Sequence, residues 1–211
     1  MGMIDRDLEP PAVRGLSFAR LREWCEPRLR GALRPLVRHC AARGVTPNQL
    51  TIAGLLLNVL AACLVFAALP VAGGAVYLLA GLLDLGDGML ARENGRATPF
   101  GAFLDSTTDR LSEGVMFAAI GYQCAVNGQP WLVVAVVVAL LGSVLVSYAR
   151  ARAESLGVAC RSGLMTRAER VVVIGAALLL GLVGPALVVL AVLGLVTVGQ
   201  RVAEVHRALH R

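Results

Sequence analysis

The sequence predicts an all-α integral membrane protein with six transmembrane helices and an N-terminal interfacial amphipathic helix. Of its 211 residues, 57% are hydrophobic, and the mean hydropathy is +0.71. Soluble domains are only about half apolar, so this composition favours a membrane protein. Several stretches also approach the ~20 apolar residues that a helix needs to cross a bilayer. The length favours one compact bundle over two domains.

The first 43 residues differ from the rest of the chain. Residues 1–16 are polar and contain Pro10 and Pro11, which predicts a polar leader. Across residues 17–43, apolar side chains recur near helical spacing and arginines fill many of the remaining positions. We therefore expect an amphipathic helix lying on the lipid headgroups. A soluble helix packed on the bundle is the alternative.

Residues 44–211 form the predicted six-helix transmembrane domain. The Gly44-Val45-Thr46-Pro47-Asn48 segment ends the amphipathic helix and can cap the next one. Pro70, Pro130 and Pro185 mark turns between later helices. The six spans are predicted at 48–69, 71–92, 101–124, 131–152, 168–183 and 185–204.

The charge pattern predicts the orientation of these spans. The chain has 20 arginines and no lysine. With the N-terminus inside, arginines collect in the segments on that side, while the outer turns near Val71, Asn127 and Gly184 carry no charge. We therefore expect a multi-pass protein of the cell membrane, with both termini and the active site on the cytoplasmic side. The arginines favour phosphates and membrane lipids as partners, and we expect no nucleic-acid partner.

Spans two and three contain charged residues that a membrane helix normally excludes. A charge at the bilayer centre costs at least ~2.5 kcal/mol, so such residues usually face a cavity and mark function. Several carboxylates in one place also require a cation. The charged residues are Asp84, Asp87, Asp105, Asp109, Arg110 and Glu113.

The spacing of the four aspartates predicts a metal site. Asp84 and Asp87 lie at i and i+3, and Asp105 and Asp109 lie at i and i+4, so each pair shares a helix face. Because the two spans are antiparallel, Asp87 should lie near Asp105 and Asp84 near Asp109. Oxygen ligands without histidine or cysteine favour magnesium, manganese or calcium over zinc or copper.

The same segment resembles the signature of the CDP-alcohol phosphotransferases, and within that family it is most similar to prokaryotic phosphatidylinositol-phosphate synthases. Eight fixed positions of that signature occur within 26 residues. They are Asp84, Asp87, Gly88, Ala91, Arg92, Gly101, Asp105 and Asp109. The family plan of an interfacial helix followed by six spans would cover nearly the whole chain.

The resemblance implies a homodimeric enzyme that uses Mg²⁺ or Mn²⁺ and a CDP-linked lipid. It implies that all four aspartates bind metal and that Asp109 is also the catalytic base, removing a proton from the acceptor hydroxyl. The implied CDP-binding residues are Asp84, Asp87, Gly88, Ala91, Arg92, Gly101 and Asp105. Taken alone, the small residues among them are also typical of tight helix packing.

The acceptor alcohol is indicated by the end of span four and the start of span five. Arg150, Arg152 and Arg170 could together hold a phosphate, for which the arginine fork is suited. The same stretch resembles that of phosphatidylinositol-phosphate synthases and their archaeal ether-lipid counterparts. Arginines in an inside loop are also what the orientation rule predicts, so a purely topological role is the alternative.

Three functions follow for testing. The first is transfer of a phosphatidyl group from CDP-diacylglycerol, or an ether analogue, to inositol phosphate with release of CMP. The second is phosphatidylglycerophosphate synthesis from glycerol 3-phosphate. The third is a non-enzymatic cation transporter that uses the aspartates as its ion site.

Overall fold

The computed structural model describes residues 18–93, 98–160 and 162–210. For residues 18–26 and Glu93 it describes the backbone only. These residues form seven α-helices and no β-strand. The helices are α1 Phe18–Ala42, α2 Pro47–Phe66, α3 Pro70–Glu93, α4 Pro99–Val126, α5 Pro130–Ser155, α6 Arg167–Leu180 and α7 Val183–Leu209. The predicted leader at 1–16 lies outside the described residues.

Local sequence determines most of the helix starts. Thr46 caps α2 through a capping box with Gln49, and Pro47 occupies the first turn. Thr98 accepts a hydrogen bond from the Gly101 amide at 3.0 Å and so caps α4. At its far end α6 stops at Gly181, whose φ of 70° favours glycine.

In the part of the chain that the structure describes, four helices are long and apolar enough to cross a membrane, namely α2, α3, α5 and α7. The chain is therefore a multi-pass membrane protein. The other two predicted spans do not meet these length and hydropathy criteria. Helix α4 carries four charged side chains, and α6 has only 14 residues, or about 21 Å. Helix α1 forms where an amphipathic helix was predicted, and its Val37 side chain is buried in a cluster with Met89 and Leu90 of α3.

The helices pack in two groups joined through α4 and through α6, which contacts both α3 and α7. Helix α2 packs on α3 and α4, α5 packs on α7, and α4 also contacts α5. Between α5 and α7 the backbones approach closely, since a Cβ on Gly142 would lie 3.5 Å from the Cα of Gly194. Helices α3 and α6 are also tightly packed, since a Cβ on Gly74 would lie 2.8 Å from the Cβ of Leu178.

Candidate active site

Three aspartates from α3 and α4 form an acidic cluster, defined here as Asp84, Asp105 and Asp109. One carboxylate oxygen of each lies within 4.8 Å of the other two. The side chains of Asp84 and Asp109 are 18% and 12% exposed, so the cluster is largely shielded. Three convergent carboxylates suit a hard divalent cation such as Mg²⁺ or Mn²⁺, which prefers oxygen ligands.

The fourth predicted ligand, Asp87, lies one turn from Asp84 and outside this three-carboxylate group. It is buried, with 5% of its surface exposed, and accepts a 2.7 Å hydrogen bond from Thr51 Oγ1 on α2. The same hydroxyl lies 3.1 Å from the Pro47 carbonyl oxygen, which is the alternative acceptor for its single proton. Thr51 therefore holds the Asp87 carboxylate in place, a contact that the sequence alone did not reveal.

The residues predicted to line a CDP site lie around the acidic cluster on the same helices. Ala91 is half-buried and Arg92 is exposed at the end of α3. A Cβ on Gly88 would lie 3.6 Å from Arg92 Nη2, and one on Gly101 would lie 3.2 Å from Asn48 Oδ1. Gly101 thus permits a close approach between the starts of α4 and α2, so its smallness also serves helix packing.

An arginine from α6 enters the acidic cluster. Arg167 Nη1 contacts Asp84 Oδ2, and Arg167 Nη2 lies 3.0 Å from Asp109 Oδ1. Arg167 therefore spans the two aspartates that the antiparallel arrangement predicted to be neighbours. Arg110 approaches Asp109 from α4 itself, but only at 3.5 Å.

A buried ion pair lies deeper between α4 and α6. Arg170 Nε donates to Glu113 Oε1 at 2.6 Å and Nη2 donates to Oε2 at 3.1 Å. Ser143 donates to the same carboxylate at 2.6 Å, and Arg170 Nη1 donates to the Met165 carbonyl oxygen. The Arg170 side chain is only 2% exposed. It was predicted to bind the acceptor phosphate, but its donors are already engaged inside the bundle.

The other two arginines predicted for the acceptor are exposed at the end of α5. Arg150 Nε donates to Glu154 at 2.8 Å, and both side chains are largely in solvent. Arg152 lies 3.4 Å from the Ser155 hydroxyl. The structure thus separates the predicted trio into two exposed arginines and one buried one.

The loop between α5 and α6 is attached to α7. Glu204 accepts hydrogen bonds from the Ser162 amide at 3.1 Å and its hydroxyl at 2.5 Å, and Arg201 Nε donates to the Ser162 carbonyl oxygen. Gly163 has a φ of 143°, and a Cβ there would lie 2.7 Å from Thr197 Cγ2. These contacts determine where α6 begins and hence where Arg167 and Arg170 enter.

Cys160 belongs to the same loop attachment. Its thiol lies 3.4 Å from Glu204 Oε2 and is buried. Burial raises the pKa of the Cys160 thiol, and the hydrogen bond to Glu204 raises it further. The thiol therefore stays protonated and unreactive at neutral pH.

Several residues of this region were missed by the sequence analysis. Arg201 is a buried arginine within an apolar helix, a pattern that normally marks function or a specific partner. Arg167 was interpreted only as one of the cytoplasmic arginines. Its position in the first turn of α6, one residue after the Thr166 cap, gives no local signal for its contacts with Asp84 and Asp109 on other helices.

Comparisons with known proteins agree with this arrangement. Residues 44–198 match the CDP-alcohol phosphatidyltransferase family. The chain is 39% identical to a phosphatidylinositol phosphate synthase of Mycobacteroides abscessus, over 81% of this chain and 82% of that one. It is 37% identical to an archaetidylinositol phosphate synthase of Pyrococcus horikoshii, over 87% of this chain and 95% of that one.

Solved structures show the same relationship. The crystal structure of Mycobacterium tuberculosis phosphatidylinositol phosphate synthase with CDP-DAG bound superposes with a TM-score of 0.74 at 32% identity. The alignment covers 81% of this chain and 92% of that one. The same enzyme in complex with manganese and citrate gives a TM-score of 0.75.

The fold and the acidic cluster define a membrane-embedded enzyme with a site suited to a divalent cation. More narrowly, the chain belongs to the CDP-alcohol phosphatidyltransferase family. It is therefore a transferase that uses Mg²⁺ or Mn²⁺, and the transporter hypothesis is set aside.

Proposed function

We propose that the protein transfers the phosphatidyl group of CDP-diacylglycerol, or of an ether analogue, to inositol phosphate and releases CMP. The observation that carries this proposal is the cluster of Asp84, Asp105 and Asp109, formed by the family's signature positions. Relatives named as phosphatidylinositol phosphate and archaetidylinositol phosphate synthases, at 37% identity or more, support inositol phosphate as the acceptor.

The metal-binding role is assigned to all four aspartates. The acidic cluster would hold the cation, and Asp87, oriented by Thr51, would complete the set from the next turn of α3. A bound divalent cation neutralises phosphate charge and stabilises the leaving phosphate of CMP. Gly88, Ala91, Arg92 and Gly101 would line the nucleotide site beside the aspartates.

Asp109 is proposed as the general base. Its carboxylate would take the proton of the acceptor hydroxyl as that oxygen attacks the phosphorus attached to the lipid. The new phosphorus–oxygen bond forms while the bond to the CMP phosphate oxygen breaks, and CMP leaves with the electron pair. The Asp109 side chain is only 12% exposed and lies close to two other carboxylates, and this shielding from water supports its role as the base.

Arg150 and Arg152 are proposed to bind the phosphate of the acceptor. Both are exposed at the end of α5, where their guanidinium groups can reach an incoming anion. Arg170 was predicted for the same role, but its pairing with Glu113 supports a positioning role at the start of α6 instead.

We further propose six membrane spans, with α1 at the interface and both termini on the cytoplasmic side of the cell membrane. The four helices that meet the length and hydropathy requirements support four of these spans. The acidic cluster would then shorten the apolar part of α4, and Arg167 and Arg170 would shorten that of α6. Both helices would still cross the membrane. We expect a homodimer, as the family resemblance implies.

Phosphatidylglycerophosphate synthesis is the second candidate function. Exposed arginines at the acceptor end of the site would bind the phosphate of glycerol 3-phosphate equally well. The two acceptors share that phosphate, so the arginines do not discriminate between them.

A direct assay distinguishes these functions. Purified protein in detergent, given Mg²⁺ and CDP-diacylglycerol, is offered inositol phosphate, glycerol 3-phosphate, serine or inositol in separate reactions. We expect CMP release with inositol phosphate and loss of that release after chelation of the metal. Release with glycerol 3-phosphate but not with inositol phosphate would select the second function. Release only with an unphosphorylated alcohol would refute the role of the arginines.

A further inference from the structure

Arg167 contacts two of the three aspartates of the proposed metal site. It contacts Asp84 through Nη1 and lies 3.0 Å from Asp109 through Nη2, so one guanidinium joins an aspartate of α3 to an aspartate of α4. Its side chain is 22% exposed. Arg167 therefore neutralises the same carboxylates that a divalent cation would bind.

The arginine is a poor fit for this position. Its buried Nε has no hydrogen-bond partner, and Asp109 Oδ1 also lacks one despite its short distance to Nη2. An arginine that served only as a structural ion pair would engage all three of its nitrogens, as Arg170 does with the two carboxylate oxygens of Glu113 and the Met165 carbonyl oxygen. The incomplete bonding of Arg167 is what a temporary partner would show.

We propose that Arg167 is an internal counter-ion of the acidic cluster that competes with the divalent cation and is released when the cation binds. This inference rests on the metal site of the proposed function. The three aspartates of the acidic cluster cannot remain charged and close together in the inner part of a bilayer without a positive charge. Arg167 supplies that charge in the metal-free protein, and its released guanidinium is then free to bind a phosphate at the same site.

Neighbouring arginines do not share this position. Arg170, three residues later on α6, is 2% exposed and bound to Glu113. Arg110 donates to the Ser106 carbonyl oxygen at 2.5 Å and reaches Asp109 only at 3.5 Å, with 37% of its side chain exposed. Arg110 is therefore a matched control that has the same charge near the acidic cluster without spanning it.

The test measures Mn²⁺ binding to the purified full-length protein without substrate, by electron paramagnetic resonance of the free ion. We expect Arg167→Gln to bind Mn²⁺ about tenfold more tightly than the wild type, a typical size for coupling between two ligands. Arg110→Gln should tighten binding by clearly less, because it removes charge but not a competing ligand. Equal affinity of Arg167→Gln and wild type, or equal tightening by both variants, would overturn the proposal.

Two further measurements keep the proposal testable if Arg167→Gln folds poorly. Arg167→Lys retains the charge but not the fork, so it should bind Mn²⁺ with an affinity between those of the wild type and Arg167→Gln. A wild-type structure with Mn²⁺ bound should show the Arg167 guanidinium displaced from both carboxylates. A guanidinium still in contact with Asp84 and Asp109 beside the ion would refute release. Failure of the wild type and all three variants to bind Mn²⁺ would reject the metal site itself, whereas binding without a difference rejects only the role of Arg167.

Discussion

Asp109 differs from the other aspartates in its surroundings. It lies deeper along α4 than Asp105, has Arg110 and Arg167 beside it, and keeps one oxygen without a hydrogen bond. Replacing it with asparagine changes the shape little but removes the base. Asp109→Asn should lower kcat by ~10²–10⁴, the usual contribution of general base catalysis, while CDP-diacylglycerol still binds.

The check is to measure CMP release and nucleotide binding on the same preparation. Asp87→Asn is a useful comparison, because Asp87 is proposed to bind metal without acting as the base. Its defect should be relieved in part by raising the Mg²⁺ concentration, whereas that of Asp109→Asn should persist. Turnover by Asp109→Asn near the wild-type rate would show that another group takes the proton.

The buried pair of Arg170 and Glu113 makes a separate prediction about stability. Arg170→Met leaves the Glu113 carboxylate buried with only Ser143 as its hydrogen-bond partner among the described contacts. Breaking a buried pair in this way costs ~3–5 kcal/mol. Arg150→Met removes an exposed arginine whose pair with Glu154 is worth at most ~1 kcal/mol.

Thermal unfolding in detergent should therefore show a large fall in Tm for Arg170→Met and a small one for Arg150→Met. If the two variants lose stability equally, the buried pair does not hold α4 and α6 together. A double variant, Arg170→Met with Glu113→Gln, should recover part of the loss because no charge remains buried.

These residues also show where prediction from sequence ends. The spacing of the aspartates placed Asp84 near Asp109 because helical periodicity and antiparallel direction determine depth. The same approach did not reveal the contact of Arg170 with Glu113, since an arginine in the first turn of a helix can turn outward or towards a buried carboxylate on another helix. Arg201 and Thr51 act through contacts distant in sequence, which periodicity does not report.

At the level of helices, sequence was a better guide. Proline and threonine signals placed the starts of α2, α3 and α5 within one residue of their observed positions, because helix starts depend on local interactions. The predicted position of the turn after α6 was less accurate. Pro185 suggested a break at 184, but α6 ends at Leu180 and α7 already begins at Val183. Gly181, in a left-handed conformation, ends α6 earlier.

The close packing of α3 against α6 should matter for both stability and activity, because these helices hold Asp84 and Arg167. A Cβ added to Gly74 would lie 2.8 Å from the Leu178 Cβ and 3.0 Å from the Gly175 carbonyl oxygen, so backbone would have to shift. Gly74→Ala should cost ~1–3 kcal/mol through overpacking. Gly114→Ala is the matched control, since a Cβ there meets nothing within 4 Å.

Thermal unfolding and CMP release should both be measured for these glycine variants. Gly114→Ala should be neutral or gain up to ~1 kcal/mol from higher helix propensity. Gly74→Ala should lose stability and also turnover, because a displaced α6 moves Arg167 relative to Asp84. Unchanged stability in Gly74→Ala would mean that the two helices separate without cost.

Across the whole molecule, polar groups are concentrated at one end of the bundle. This end includes the end of α3, the end of α5 and the start of α6, which carry Arg92, Arg152 and Arg167. The acidic cluster, the loop attached to α7 and the exposed arginines of α5 all lie towards it. The opposite turns, at 67–69, 127–129 and 181–182, carry no charged residue. This asymmetry is the basis of the proposed orientation, because arginine-rich loops remain on the cytoplasmic side.

The orientation can be tested with single cysteines in a background lacking the five native ones. Asn127→Cys, at the uncharged end of α4, should react with a membrane-impermeant maleimide added to intact cells. Ser155→Cys, at the arginine-rich end of α5, should react only after the membrane is permeabilised. Both residues are exposed in the structure, so a difference in labelling reports the side of the membrane rather than burial. The reverse pattern would invert the topology and place the active site outside, and labelling of both in intact cells would mean that α5 does not cross.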